Sequence, residues 1–225
     1  MRICRSSLVL ALALSAAGCN DDNDNPMEPG TSANRMTFFV TSATSMTANL
    51  GGLRSADETC LRLATAVGAG GRTWRAYLSV ERDADNGNRP TNARDRIGSG
   101  PWINASGVTV ANTLAELHAR TGNVDVFVDE RGLRINGQWP GSPTPNEHDI
   151  LTGSTSEGNV MTGFTCSDWT STATDLQAQV GHSDGLGGGG STTGTLTSWN
   201  SAHANGSCAN TAPRGGAGRL YCFAR

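Results

Sequence analysis

A chain of 225 residues with formal net charge −3 has room for one ordinary domain behind a leader. Its seventeen basic residues, all arginine, nearly balance twenty acids, which excludes the strong positive field of a nucleic-acid binder.

In chain order, Arg2 and Arg5 precede an apolar run from Leu8 to Leu14 and the small residues Ser15-Ala16-Ala17-Gly18. This pattern reads as a secretory signal peptide over residues 1–18, and its apolar stretch is too short to span a bilayer as a mature helix. Cys19 directly after Ala-Ala-Gly resembles a bacterial lipobox, although Ala16 stands where leucine is commonest; the alternative is an ordinary secretory peptide cut nearby. Lipidation at Cys19 would anchor the chain by burying acyl methylenes, about 0.8 kcal/mol each. Residues 19–34, with Asp21, Asp22, Asp24 and Glu28 among prolines and a glycine, hold too little apolar surface to order themselves and read as a lipidated disordered tether. The expected location is the bacterial cell envelope, outer membrane or cell surface, with membrane contact through the lipid alone.

The domain, residues 35–225, keeps Cys60, Cys166, Cys208 and Cys222. An even count in an exported chain argues for two disulfides, and no pair has the C-x-x-C spacing of a zinc or thiol redox site. Three pairings are open from the sequence. The stretch "MTFFVTS" at 36–42 predicts a strand. After Gly51-Gly52, Ser55-x-x-Glu58 forms a capping box for a helix that turns Cys60, Ala64 and Val67 to the core and stops at Gly68. Residues 73–80 alternate Trp74, Ala76, Leu78 and Val80 against Arg75, Tyr77 and Ser79, as a strand with one buried face does. Asn112 is the expected cap of a second helix through Leu114, Leu117 and His118. "VDVFVDERGLRINGQW" predicts a hairpin turning at Glu130-Arg131-Gly132, with a second turn at Asn136-Gly137. A short strand is expected at 148–151 and another in "RLYCFAR" at the C-terminus. The long Gly-, Ser-, Thr- and Asn-rich region 152–218 is expected to be loops, stapled or functional.

The candidate motifs are weak. Gly181-His182-Ser183-Asp184-Gly185 fits a hydrolase nucleophile elbow, but Gly187 to Gly190 follow where a helix belongs, and triad partners must arrive from elsewhere in the fold. A loop is expected there. "DADNGN" at 83–88 hints at a calcium loop, yet its glycine falls early and Arg94 stands where a bidentate glutamate belongs, so an oxygen-rich turn is expected. His118, His148, His182 and His203 show no metal-ligand spacing and read as surface or loop-packing residues. The arginines from Arg72 to Arg96 interleave with Asp83, Asp85 and Asp95 as a solvated face, with a polyanion site as the alternative. Of the five tryptophans, most belong to the core, and Trp199 beside Asn200 is the candidate for sugar stacking.

"ADETCLRLATAVGAGGRTWRAYLSV" at 56–80 is similar to the early helix and strand of endostatin, the C-terminal domain of certain collagens. "DILTGSTSEGNVMTGFTCSDWTS" at 149–171, then Cys208 and "LYCFAR", resembles that family's Gly-Ser turn, Cys-x-x-Trp element and last cysteines, and "ANLGGLRSADETC" at 48–60 resembles the opening of exported bacterial domains of unassigned function. The resemblance covers roughly a third of the mature chain but both ends of the domain. It implies a C-type-lectin-like fold with disulfides Cys60–Cys222 and Cys166–Cys208, each contributing about 2–4 kcal/mol. The N-terminal zinc-binding histidines of endostatin have no counterpart, since residues 20–55 contain no histidine. Its heparin-binding arginines cannot be matched by position. Trp199-Asn200-Ser201 matches the Trp-Asn-Asp strand of calcium-dependent lectins only in part, with serine in place of a charged ligand.

The expected architecture is α+β: a C-type-lectin-like domain with two short helices, a mixed, mainly antiparallel sheet and a loop-rich C-terminal half. The expected function is a non-catalytic, surface-anchored binding module for a glycan or an extracellular protein, met by His182, Asp184, Trp199 and Asn200 on loops. A structural envelope or matrix component is the alternative, and a hydrolase using Ser183 a weaker one. No catalytic residue, metal or cofactor is expected, and the oligomeric state stays open.

Overall fold

The computed structural model describes residues 35–225. The expected signal peptide, Cys19 and the tether lie outside the described residues, within which no helix is long and apolar enough to cross a membrane. The chain is α+β. Its main sheet has the order β1-β10-β7-β8-β9, with β2 also pairing with β10. These strands are β1 (Phe38–Val40), β2 (Trp74–Ala76), β7 (Asp149–Leu151), β8 (Gln179–His182), β9 (His203–Ala204) and β10 (Gly216–Ala224). All pairs are antiparallel except β7 with β10.

β10 is the spine because its side chains alternate between two cores. Leu220, Cys222 and Ala224 enter one cluster with Phe39, Trp74 and the inner face of α1 (Gly52–Ala66); Tyr221 and Phe223 enter the other with Phe38, Tyr77, Trp102, Phe127 and Trp199. Both faces are apolar, as a central strand covered on both sides requires. The second cluster is largely aromatic, with Phe38 and Phe223 centroids 4.8 Å apart and Trp199 and Tyr221 5.0 Å apart. Such pairs add about 0.5–1.5 kcal/mol each beyond burial.

α1 starts three residues before the expected capping box. Gly51, at φ 75°, turns the chain into the helix as its N-cap, so Ser55 falls inside the first turn and does not cap. Cys60 faces the core as expected. Asp57 on the same helix accepts from Ala76 N at 2.8 Å and from both Arg75 and Arg96, fastening α1 to β2.

Other elements depart from expectation for local reasons. The 73–80 stretch is not one strand: Trp74–Ala76 pairs as β2 and Val80 opens the next strand, because Tyr77 and Ser79 are as buried as Leu78 and the segment between runs between the two cores. Residues 83–88 form the expected turn, a 3-10 segment between β3 (Val80–Asp83) and β4 (Arg89–Thr91). A short helix α2 (Ala93–Arg96) and a pair β5 (Trp102–Ile103) with β6 (Thr109–Ala111) were not expected. The helix α3 (Leu114–Ala119) is capped by Thr113, whose hydroxyl accepts from Glu116 N at 3.1 Å, and not by Asn112. The hairpin expected at 124–139 is reduced to one bridge, Val128 with Arg134. The Asp129 carboxylate takes the backbone N–H groups of Arg131 and Leu133, so a side-chain-closed turn replaces the ladder.

The disulfides join Cys60 to Cys222 and Cys166 to Cys208, the pairing the resemblance implies. Cys166, Ser167, Asp168 and Trp169 form a left-handed turn with φ between 49° and 65°. L-residues pay about 1–2 kcal/mol each for that conformation. The turn is held by the Cys166 bridge, by Asp168 accepting from Glu81 N at 2.6 Å, and by the Trp169 indole donating to Ser79 O at 2.9 Å. The loop-rich region contributes buried polar side chains as well: Thr152 Oγ1 donates to Asn200 O, and Asn205 accepts from Ala178 N and donates to Ser207 O. These bonds let irregular backbone sit inside the fold.

Candidate metal centre

β7, β8 and β9 are consecutive neighbours in the sheet, and their register sets Asp149 opposite His182 and Val180 opposite His203. His148 precedes β7, and its carbonyl receives Ser183 N at 2.9 Å. Strand β8 lies tight against the Trp199 segment because residue 181 is glycine: a Cβ there would stand 1.8 Å from Trp199 O. Three histidines and one aspartate, from three separate stretches of the chain, thereby converge.

The Asp149 carboxylate is at the middle. Its Oδ1 lies 3.3 Å from His148 Nε2, 3.2 Å from His182 Nε2 and 3.6 Å from His203 Nε2. His148, Asp149 and His182 are at most 2% exposed. Each ring has its other nitrogen committed: His148 Nδ1 donates to Asp184 Oδ1 at 2.7 Å, His182 Nδ1 to Leu196 O at 2.8 Å and His203 Nδ1 to Ala204 O at 3.0 Å. Carbonyl oxygens only accept, and an ionised carboxylate does the same, so the proton of each neutral ring sits on Nδ1 and Nε2 carries a lone pair. Those nitrogens lie 3.2–3.6 Å from a carboxylate oxygen that is itself an acceptor. Asp149 Oδ1 and Oδ2 and His182 Nε2 have no hydrogen-bond partner among the described residues, despite the short distances.

Acceptors turned toward acceptors in a buried site are costly unless a cation lies between them. Protonating all the rings is a poor remedy, because the His148 and His182 centroids are 4.1 Å apart and those of His182 and His203 4.8 Å apart, where imidazolium charges would repel. A divalent ion satisfies Asp149 Oδ1 and the imidazole nitrogens together and neutralises the carboxylate. His148, Asp149 and His182 offer ligand atoms within 4.8 Å of one another. Nitrogen- and oxygen-bound zinc has ligand distances of about 2.0–2.2 Å, which makes the edge of its tetrahedron about 3.3–3.6 Å, close to the three separations from Asp149. The His148 and His182 rings are within 16° of parallel, so sharing one ion requires them to splay until their in-plane lone pairs meet. Two or three imidazoles with one carboxylate suit zinc and its transition-metal neighbours, and calcium, which takes six to eight oxygens, does not fit.

Asp184 supports the cluster from behind. Besides His148 it accepts from Gln138 N at 2.7 Å and Leu186 N at 3.0 Å. Burial pushes its pKa up, but the His148 hydrogen bond and the two backbone donors outweigh this and hold it below the usual carboxylate range. A carboxylate behind a metal-facing histidine fixes the ring's tautomer and orientation.

Of the four residues expected to meet a ligand, His182 belongs to the cluster and Asp184 orients it. Trp199 and Asn200 correct the expectation. Trp199 is 0% exposed, its indole donating to Leu117 O at 2.8 Å, so it offers no face to a sugar. Asn200 Nδ2 donates to Tyr77 Oη and to Thr155 O, each at 3.0 Å, inside the core. His182 is not a loop residue, since it ends β8; the expected loop begins at Ser183, where the chain turns tightly through Asp184 and Gly185. Ser183 Oγ is buried with no hydrogen bond to a histidine, and Asp184 serves His148 instead of His182, so the three neighbours do not form a triad. The sequence points to His148 and His203 only as surface or loop-packing residues and does not single out Asp149; the signals present are the adjacent His-Asp pair opening an expected strand and the scarcity of histidine, of which the chain has four. Comparison with protein-family models and with curated proteins gives no match.

Proposed function

We propose that this chain is an exported, disulfide-stapled module of a bacterial envelope that holds one transition-metal ion, zinc by its donor set, on His148, Asp149 and His182. The observation that carries the reading is the buried Asp149 carboxylate, without a hydrogen-bond donor and faced by imidazole nitrogens whose protons are used elsewhere. The two disulfides support an oxidising compartment. The leader pattern and Cys19 support a lipid anchor, and the cysteine and tryptophan pattern supports a C-type-lectin-like architecture. The module is read as non-catalytic, presenting its outer loops to a glycan or protein partner, with the ion serving the fold.

Metal content and titration test this. The purified protein, stripped with chelator and titrated calorimetrically, takes up one zinc per chain and no calcium. Asp149→Ala abolishes uptake, while Asp184→Asn weakens it about 10–100-fold, as loss of a supporting carboxylate does. A chain that binds no zinc, or binds it equally well as Asp149→Ala, contradicts the proposal.

A further inference from the structure

We propose that His203 Nε2 is the fourth ligand, making the centre a closed site that fastens the edge strand β9 to the sheet. This rests on the metal reading above and goes beyond it, since His148, Asp149 and His182 alone are a two-histidine, one-carboxylate set. Such a set with an open position suits catalytic zinc or iron, whereas four protein ligands suit a structural zinc.

Three observations place His203 beside the trio whose ligand atoms lie within 4.8 Å of one another, a short inward swing of its ring from completing the shell. Its Nε2 is 3.6 Å from Asp149 Oδ1, a little farther than the other two rings, and its Nδ1 is spent on Ala204 O, which leaves Nε2 as its available ligand atom. Its ring meets His182 edge-on, at 72° and 4.8 Å, and so approaches from a different direction than His148. Its side chain is 25% exposed against 1–3% for the other members, so it closes the side of the cluster that faces solvent.

Topology supplies the consequence. β9 has two residues, lies at the end of the sheet and, among the described residues, pairs only with β8. An ion shared by His148, Asp149, His182 and His203 cross-links the start of β7, the end of β8 and the start of β9. It thereby closes the segment 183–202 into a loop pinned at both ends, with Gly188–Gly190 on its outer side. The metal acts there as a third staple beside the two disulfides.

Cobalt(II), whose visible spectrum reports its coordination, is the probe. Wild-type protein loaded with cobalt shows a tetrahedral spectrum unchanged by azide, because no position is exchangeable. His203→Ala still takes up cobalt, roughly 100-fold more weakly, one ligand's share of a four-ligand site. Its spectrum shifts, responds to azide, and returns toward wild type with added imidazole. Zinc slows backbone hydrogen exchange across 183–204 in the wild type and not in His203→Ala. An azide-sensitive wild-type spectrum, or a His203→Ala variant matching wild type in affinity and spectrum, overturns the assignment while leaving the three-residue site standing. Failure of the wild type to take up cobalt or zinc at all removes the metal reading itself.

Discussion

Replacing Asp149 by asparagine inverts the usual sign of a core mutation. In chelator the wild-type carboxylate is buried without a donor, 3.2 and 3.3 Å from two imidazole nitrogens. An asparagine amide of the same shape donates where the carboxylate can only accept. Two new hydrogen bonds at about 1 kcal/mol each, plus relief of a buried charge, make Asp149→Asn more stable than wild type by about 2 kcal/mol. For a domain of this size that raises Tm by roughly 4–8 °C. With zinc the order reverses: at a hundredfold excess over Kd the wild type gains about 2.7 kcal/mol, and the variant, lacking its anionic ligand, gains little. Thermal unfolding followed by circular dichroism, with chelator and then with zinc, reads both signs. If Asp149 instead neutralises protonated histidines, Asp149→Asn loses stability in chelator, and that result refutes the reasoning.

Removing the Cys166–Cys208 bridge as a double alanine variant lowers unfolding free energy by about 4 kcal/mol in a denaturant titration, from the loop it closes; a loss below about 1 kcal/mol contradicts this. Gly181→Ala, which drives a Cβ into Trp199 O, costs about 3 kcal/mol, whereas Gly188→Ala, with no atom within 4 Å, stays within about 0.5 kcal/mol in the same titration. Burial lowers the pKa of His118, whose Nε2 takes the Tyr77 hydroxyl at 2.8 Å, against the smaller opposing effect of Leu114 O. Its resonance therefore titrates below about 6.5. Because the unfolded chain takes a proton that the folded ring refuses, stability falls as pH drops through that value toward the folded pKa. An ordinary or raised titration midpoint for His118 contradicts this.

The elements legible in the sequence are those whose signal is local. The helix bearing Cys60, the strands at 36–42 and in "RLYCFAR", and the turn at 83–88 follow from spacing, alternation and turn residues, and the folded chain keeps them. The core role of Trp199 was not legible, because Trp-Asn within a Ser- and Thr-rich stretch resembles a surface loop. It becomes interior only when Thr152 and Tyr77 satisfy the polar groups beside it. The metal centre was hidden for the same reason at longer range. His148, Asp149, His182 and His203 share no helical or C-x-x-C spacing, and they meet only once β7, β8 and β9 pair. Strand β8 itself, "QVGH", carries a glycine that local propensity counts against a strand and that the approach of Trp199 demands.

The most direct measurement is X-ray diffraction from crystals of the zinc-loaded protein, collected above and below the zinc absorption edge. The account predicts one anomalous peak per chain within bonding distance of Asp149 Oδ1, His148 Nε2, His182 Nε2 and His203 Nε2. No peak at that position, with the three rings hydrogen-bonding instead to ordered water or protonated against Asp149, contradicts it.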